Sequence, residues 1–322
     1  MKKPSKHENE LPTISGMAKL GGKVTRTSAC PLELSPNFAK PPGRIELSAY
    51  DWPSLSERLK QIKHIALDMD GTIYKGNTLF PYTITFCMQL KELGIGYSFL
   101  TNNPSKSTTD YLEHLGKMGL SVSANELYTS AQATIRYLKT HLPDAKRLFI
   151  LGTPSMIGEF EKAGFVNCVE ETVDAVVVGF DMTLTYPRLC RAAWWIKSGK
   201  PYIATNPDWV CPTDQPTLLV DCGSICAALE KATGRKPDVT LGKPQPEMLE
   251  GILHAHRLLP HEVAMVGDRI YTDMLMAQQA GVFSVLVLSG EATLADAQQA
   301  NPRPDITLQS IAQFGELLAE AK

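Results

Sequence analysis

The sequence predicts an α/β protein in which a Rossmann-like, doubly wound parallel sheet carries an inserted α/β cap domain. Short apolar segments of strand length alternate with helical segments, a pattern typical of a parallel sheet with helices on both faces. Acidic and polar clusters directly follow several of these strands, at the ends where doubly wound sheets bind ligands. Because such clusters occur on both sides of a central alternating series, we interpret the central series as an insertion.

Length and composition fit a protein of roughly two domains. The chain has 322 residues, of which 43% are hydrophobic and 20% charged, so it can form sizeable cores. The net charge of −2 gives no reason to expect a nucleic-acid polymer or a membrane as partner. No apolar run approaches the ~18 residues of a membrane-spanning helix, and the N-terminal segment lacks a secretory signal. With seven scattered cysteines, these features predict a cytoplasmic protein.

The domain limits follow from changes in pattern along the chain. Residues 1–48 are rich in proline and have no sustained period, which predicts an irregular N-terminal arm. Residues 49–129 and 239–322 form the predicted catalytic core, and residues 130–238 form the predicted cap. A short helix is expected within residues 51–64, with Ser54 as its N-cap.

The core elements alternate on both sides of the insertion. Short apolar runs predict strands at residues 64–67, 96–100, 262–267 and 283–288. Amphipathic segments, several of which stop at a glycine, predict helices at residues 83–94, 105–119, 246–259 and 273–281.

The cap has an alternation of its own. Strands are predicted at residues 147–152, 174–180 and 201–206, and helices at residues 154–164, 186–199 and 222–234. Trp194 and Trp195 lie on the second of these helices, where they are expected in the core or in a subunit interface. A homo-oligomer formed through the cap is therefore left open.

Four polar segments are expected at the same edge of the sheet. A lone D-x-D-G is ordinarily a strand end followed by an acidic turn, and each of the other segments is ordinary by itself. Four of them in the right structural context indicate one shared site. The segments are "DMDGT" (68–72), "TNN" (101–103), "LGKPQPEM" (241–248) and "GDRIYTD" (267–273).

The residue types in these segments suit phosphoryl transfer. Asp68, Asp70 and Asp268 gather negative charge, which repels itself unless a cation lies among the carboxylates. Oxygen ligands favour a hard cation, usually Mg²⁺. Thr101 and the N–H groups that follow it suit an anion, and Lys243 offers a charge for phosphate oxygens. Catalysis of this kind is mostly positioning and charge neutralisation, and a carboxylate can act as nucleophile.

The four segments resemble motifs I to IV of the haloacid dehalogenase superfamily of phosphohydrolases, over about residue 60 to the C-terminus. "FLTNN", "ATNPD", "CGSICAALEKATGRKP", "GKPQPEM" and "VLVLSGE" are similar to stretches of its subfamily IIA. This NagD-like branch includes 4-nitrophenyl-, phosphoglycolate- and pyridoxal-phosphate phosphatases. Its cap is inserted between motifs II and III, where the predicted cap falls.

The resemblance implies a role for each motif residue. Asp68 attacks phosphorus and binds Mg²⁺, and Asp70 protonates the leaving alcohol and then activates water, while its backbone carbonyl ligates the metal. Asp268 is the third protein ligand of the metal. The remaining roles are phosphoryl binding by Thr101, Asn102 and Asn103, bridging of Asp68 and phosphate by Lys243, and orientation of Lys243 or of a metal-bound water by Asp273.

The cap loop "TNPDWVCPT" (205–213) is expected to contact the leaving group of the substrate. The candidates for this contact are Asn206, Asp208, Trp209 and Cys211. The alternative for Trp209 is an aromatic side chain that packs in the protein interior. The pyridoxal-phosphate branch carries a histidine before the proline of this loop. The cysteine found there instead, Cys211, argues against pyridoxal phosphate as the main substrate.

The predicted function is that of a phosphoric monoester hydrolase with Mg²⁺ as cofactor. It hydrolyses a small phosphorylated metabolite of the sugar phosphate, phosphoglycolate or nucleotide monophosphate class, through an aspartyl-phosphate. Two alternatives stay open: a phosphotransferase or phosphomutase on the same scaffold, and a catalytically idle protein that binds phosphorylated metabolites. Against the idle protein, every catalytic position of the resemblance is filled.

Overall fold

A computed structural model of the chain describes residues 50–211, 213 and 216–322. The predicted arm, residues 1–48, lies outside these described residues. Within them, no helix is both long enough and apolar enough to cross a membrane.

The elements are numbered in chain order. The strands are β1 (His64–Asp68), β2 (Tyr74–Lys75), β3 (Thr78–Leu79), β4 (Gly96–Thr101), β5 (Leu127–Thr129), β6 (Arg147–Leu151), β7 (Val166–Asn167), β8 (Ala175–Val178), β9 (Tyr202–Ala204), β10 (Val210–Cys211), β11 (Leu219–Val220), β12 (Val239–Thr240), β13 (Val263–Gly267), β14 (Phe283–Val287) and β15 (Ile306–Leu308). The helices are α1 (Trp52–Gln61), α2 (Thr83–Glu92), α3 (Thr108–Lys117), α4 (Ser130–His141), α5 (Pro154–Lys162), α6 (Tyr186–Lys197), α7 (Cys222–Thr233), α8 (Glu247–His256), α9 (Leu275–Ala280), α10 (Leu294–Gln299) and α11 (Ile311–Ala321).

One sheet, here named the core sheet, has the strand order β15-β14-β13-β1-β4-β5. All its neighbouring strands pair in parallel. Helices cover both of its faces: Phe86 of α2 and Phe314 of α11 belong to one buried cluster, and Met248 of α8 and Met276 of α9 belong to another. The predicted α/β fold with a parallel sheet is confirmed.

A second sheet, here named the cap sheet, has the strand order β12-β9-β8-β6-β7 and is also parallel. Its strands come between β5 and β13 in the chain. β12 pairs with β9 although it begins at Val239, just past the expected end of the cap. The cap limits of 130 and 238 stay a prediction. Trp195 packs against the buried cap cluster and Trp194 is 62% exposed, so the subunit interface also stays a prediction.

Several helix starts differ from the prediction. Ser54 is not the N-cap of α1, which begins at Trp52 with Pro53 in its first turn; proline fits there because the N–H it lacks has no partner in that turn. α3 begins at Thr108, because Ser107 and Asp110 form a capping box, in which the Asp110 N–H donates to Ser107 Oγ at 3.1 Å. α9 is preceded by a π-helical turn, Ile270–Met274, so the helical segment begins earlier than residue 273.

Candidate active site

The carboxyl ends of β1, β4 and β13 lie side by side in the middle of the core sheet. β1 ends at Asp68, β4 ends at Thr101, and β13 ends at Gly267, directly before Asp268. β1 pairs in parallel with both neighbours. Side chains from three strands therefore share one edge, as the sequence predicted from the polar clusters.

A cavity of about 560 Å³ opens at this edge, a volume within the range of small-molecule sites. Two loops of the cap and several loops of the core line it. The predicted site residues that line it are Asp68, Asp70, Thr101, Asn102, Asn103, Asp208, Cys211 and Lys243. Among the described residues, four predicted ones are outside the lining: Asn206, Trp209, Asp268 and Asp273.

Lys243 is buried between two carboxylates. Its Nζ forms an ion pair with Asp68 Oδ1 and another with Asp273 Oδ1, the latter at 2.8 Å. Burial works against the charge of Lys243, but Asp273 and Asp68 outweigh it and raise the pKa of this lysine. The second oxygen of Asp68 accepts a hydrogen bond from Thr72 Oγ1 at 3.3 Å. The carboxylate of Asp68 is therefore held from both sides.

Asp68, Asp268 and Asp273 form an acidic cluster in which one carboxylate oxygen from each lies within 4.8 Å of the others. Asp268 Oδ2 accepts the Glu291 N–H at 2.7 Å, whereas Asp268 Oδ1 is buried with no hydrogen-bond partner among the described residues. Burial, with Asp68 and Asp273, raises the pKa of Asp268 to about 8. An unpartnered buried carboxylate oxygen beside other carboxylates fits a hard divalent cation.

Two glycines make room for Asp268. Gly71 has a φ of 85°, which favours glycine, and a Cβ at this position would overlap Asp268 Oδ2. A Cβ at Gly290 would overlap the same oxygen from another loop. The turn at Gly71 therefore brings the backbone of motif I against the acidic cluster.

Asp70 lies at the cavity wall, partly buried. Burial, followed by the charge of Asp68, raises the pKa of Asp70, while Arg269 and Lys75 act in the opposite direction. A raised pKa favours the protonated form of the Asp70 carboxyl, which is the form that a general acid requires.

The loop after β4 is ordered by its own side chains. Thr101 Oγ1 accepts the Asn103 N–H at 3.2 Å, and Asn103 Oδ1 accepts the Ser105 N–H at 2.9 Å. Asn103 Nδ2 lies 3.6 Å from Cys211 Sγ of the cap. The loop therefore presents Thr101 to the cavity and contacts the cap through Asn103.

Asn102 makes an extensive set of hydrogen bonds with its side chain. Its Oδ1 accepts the Lys243 N–H at 2.6 Å, and its Nδ2 donates to the Lys243 carbonyl oxygen at 3.0 Å. The same Nδ2 donates to both carboxylate oxygens of Asp208, at 3.2 and 3.1 Å. Any contact of Asn102 with a phosphoryl group therefore falls to its backbone.

The cap loop divides into lining and non-lining residues. Asp208 and Cys211 line the cavity, and burial with the nearby carboxylates raises the pKa of Cys211 to about 12. Asn206 is fully buried and donates from Nδ2 to Asp221 Oδ1 at 3.1 Å. Trp209 is 64% exposed, so it is not a packed aromatic. Substrate contacts of Asn206 and Trp209 stay a prediction.

Sequence reasoning missed part of the lining. Arg269 directly follows Asp268, and its Nε forms an ion pair with Glu291 Oε2 at 2.9 Å. The sequence signal that could have identified Arg269 is the position of a basic residue within the acidic segment 267–273. The other missed residues include Tyr74, Lys75, Lys106, Tyr111, His114, Asp221 and Thr272.

Comparison with known proteins agrees with this geometry. The family model described as haloacid dehalogenase-like hydrolase matches residues 65–166, and a HAD-hydrolase-like model matches residues 240–314. Ribonucleotide monophosphatase NagD of Escherichia coli strain K12 is 32% identical over 253 residues, which span 79% of this chain and 98% of that protein. The chain therefore belongs to the haloacid dehalogenase-like hydrolase family.

Two solved structures show which members of this family the chain is similar to. The structure of 4-nitrophenylphosphatase from Thermotoga maritima matches with a TM-score of 0.77 and 40% identity, over 80% of this chain and 98% of that one. The structure of glycerol phosphate phosphatase from Mycobacterium tuberculosis, in complex with magnesium, matches with a TM-score of 0.74 and 30% identity, over 80% of this chain and 78% of that one. The chain is a phosphoric monoester hydrolase of the NagD-like branch, and the predicted family and enzyme class are confirmed.

Proposed function

We propose that this enzyme hydrolyses small phosphomonoesters with Mg²⁺, through an aspartyl-phosphate on Asp68. The observation that carries the proposal is the placement of Asp68, which lines the cavity, is paired with Lys243 and adjoins Asp268. Asp70, two residues further, lines the same cavity.

Asp68 acts first, as nucleophile. A carboxylate oxygen attacks phosphorus, the bond between phosphorus and the leaving oxygen breaks, and the Asp70 carboxyl gives its proton to that oxygen. In the second step Asp70 takes a proton from water, the water oxygen attacks phosphorus, and the bond to Asp68 breaks. Free phosphate and alcohol are the products, so the phosphoryl group passes to water.

Lys243 and Thr101 hold the transferring group. The Lys243 ammonium pairs with Asp68 and offers charge to a phosphoryl oxygen, while Asp273 keeps the lysine in place from the other side. The hydroxyl of Thr101 donates to a second phosphoryl oxygen, and the backbone of Asn102 and the side chain of Asn103 assist it.

The acidic cluster supports the proposed metal. Asp68 and Asp268, with the Asp70 backbone carbonyl, would hold Mg²⁺, and Asp273 supports the site through Lys243. A bound Mg²⁺ supplies positive charge that offsets the carboxylates and the phosphoryl oxygens. Asp268 Oδ1 is buried without a hydrogen-bond partner among the described residues, and such a charge would satisfy it.

The substrate is a phosphorylated metabolite small enough for a cavity of about 560 Å³. The relatives named above act on ribonucleotide monophosphates, 4-nitrophenyl phosphate and glycerol phosphate, according to their names. These substrates are small phosphomonoesters, so the sugar phosphate, phosphoglycolate and nucleotide monophosphate classes stay the candidates. Cys211 lines the cavity from the cap and is proposed to contact the leaving group.

The test is release of free phosphate from 4-nitrophenyl phosphate and from a panel of phosphorylated metabolites. Asp68→Asn removes the nucleophile and should abolish turnover, whereas Asp70→Asn should slow it by about 10²–10⁴-fold. Asp144→Asn, at an exposed carboxylate outside the cavity, is the matched control and should match wild type.

Two further measurements complete this test. A chelator should stop phosphate release, and added Mg²⁺ should restore it. Transfer of the phosphoryl group to an added alcohol without free phosphate would instead indicate a phosphotransferase. Near wild-type turnover by Asp68→Asn would contradict the assignment of the nucleophile.

A further inference from the structure

The side chain of Asn102 joins three parts of the molecule that are far apart in sequence. It belongs to the loop after β4, it is bonded to the main chain of Lys243, and it is bonded to the carboxylate of Asp208 in the cap loop. We propose that Asn102 and Asp208 are positioning residues that connect the cap loop to Lys243 and so set the geometry of Asp68. The catalytic part of this inference rests on the proposed function.

The first half of the connection fixes the main chain of Lys243. Asn102 accepts the Lys243 N–H at 2.6 Å and donates to the Lys243 carbonyl oxygen at 3.0 Å, so one side-chain amide binds both main-chain polar atoms of Lys243. Gly242 has a φ of 79°, and a Cβ there would lie 2.8 Å from Asn102 Oδ1. Glycine at 242 therefore gives the amide the room to reach Lys243.

The second half fixes the Asn102 amide to the cap. Asn102 Nδ2 donates to both oxygens of Asp208. The Asp208 carbonyl oxygen in turn accepts the Gly223 N–H at 2.8 Å, which ties this loop to the first turn of α7. A Cβ at Gly223 would overlap the Pro207 carbonyl oxygen, so the loop and α7 approach each other closely. The position of Asp208 is thus set by the cap, and Asn102 transmits it.

The end of the connection is the ammonium group of Lys243. This group pairs with Asp68, the proposed nucleophile, and with Asp273. Because Lys243 is buried, a shift of its main chain has little space in which to be absorbed by the side chain. Loss of Asp208 or of the Asn102 amide should therefore disturb Asp68 to the same extent for every leaving group.

This role predicts a particular pattern of kinetics. A positioning residue lowers kcat by the same factor for every substrate, whereas a residue that contacts the leaving group lowers kcat/KM selectively. Hydrogen bonds to charged groups are strong enough that removing Asp208 should lower kcat by about 10- to 100-fold. The Asn102→Ala variant should lose at least as much, because it also releases the Lys243 main chain.

The experiment compares 4-nitrophenyl phosphate with the best metabolite of the panel in the full-length protein. Asp208→Ala and Asn102→Ala should each lower kcat equally on both esters. Asp208→Asn, which keeps an acceptor oxygen for Asn102, should stay within about fivefold of wild type. The double variant should be no worse than Asn102→Ala, within about threefold, because Asp208 acts on Lys243 only through Asn102. Leu218→Ala is the control, because Leu218 is exposed, lies directly before β11 of the cap and is outside the cavity lining.

A second readout does not depend on activity. Hydrogen exchange of the peptide that contains residues 241–245 should become faster in Asp208→Ala, although Asp208 has no direct bond to the Lys243 main chain, and should not change in Leu218→Ala. Unchanged exchange there overturns the inference. So does a tenfold loss on the metabolite with none on 4-nitrophenyl phosphate, which would make Asp208 a substrate contact. If wild type hydrolyses neither ester, the proposed function fails and hydrogen exchange alone decides the inference.

Discussion

Removal of the Lys243 charge, in the variant Lys243→Met, should destabilise the fold as well as stop catalysis. Lys243 is 5% exposed and separates Asp68 from Asp273, which is fully buried. Without the ammonium group these carboxylates and Asp268 face one another, with oxygens within 4.8 Å. At an effective dielectric constant of about 20, one such pair repels by about 3 kcal/mol.

This repulsion is similar in size to the loss of stability of about 3–5 kcal/mol that follows removal of one partner of a buried ion pair. We therefore expect the free energy of unfolding of Lys243→Met to fall by about 3–5 kcal/mol in the presence of a chelator. Mg²⁺ should recover part of this loss, because a bound cation offsets the same carboxylates.

The assay is urea denaturation, followed by intrinsic fluorescence, with a chelator and with Mg²⁺. Lys139→Met, at an exposed lysine of α4, is the matched control and should change stability by less than about 0.5 kcal/mol. Equal stability of Lys243→Met and Lys139→Met in chelator would refute the reasoning, because the buried carboxylates would then need no partner.

Two further predictions concern the proposed metal ligand Asp268 and a buried histidine. Gly290→Ala places a Cβ against Asp268 Oδ2 and should raise the Mg²⁺ concentration for half-maximal activity by about tenfold. This is the lower end of the loss in metal affinity that follows a change in residues supporting a metal ligand. Gly116→Ala, whose Cβ meets no atom, is the control and should leave that concentration unchanged. An unchanged requirement in Gly290→Ala would argue against Asp268 as ligand. Burial, together with His256, lowers the pKa of His64 from 6.5 to about 3 in the folded state. As pH falls below 6.5, the His64 imidazole is protonated in the unfolded state before it is protonated in the folded state, so the free energy of unfolding decreases. Between pH 7 and pH 5 wild type should lose about 2 kcal/mol more than His64→Gln in denaturation experiments, and parallel losses would contradict this.

Local pattern was sufficient to predict which strand ends meet at one edge of the core sheet. β1, β4 and β13 are short, fully or largely buried strands, so their apolar runs identified them and their ends placed Asp68, Thr101 and Asp268 together. The start of α4 was not predicted, although the sequence carries a signal for it: Thr129 and Gln132 have the spacing of a capping box, which they form in the structure.

Tertiary contacts explain what the sequence left out. The partners of Asn102 lie 141 residues away at Lys243 and 106 residues away at Asp208, and no local rule predicts such pairs. The same limit applies to the cap loop, where neighbouring polar and aromatic residues have opposite fates. Asn206 is fully buried and Trp209 is exposed, because burial depends on the packing of α7 against the loop.

The central claim is that Asp68 carries the phosphoryl group during turnover. The most direct measurement quenches the Asp70→Asn variant during its reaction with 4-nitrophenyl phosphate and Mg²⁺, reduces the sample with borohydride, and determines peptide masses. 4-Nitrophenolate leaves without a proton donor, so the intermediate should form in this variant and persist, because its hydrolysis lacks the base at residue 70. Borohydride reduces an aspartyl-phosphate to homoserine, and the account predicts that change at Asp68. The change at Asp268 or Asp273, or at no carboxylate while phosphate is still released, would contradict it.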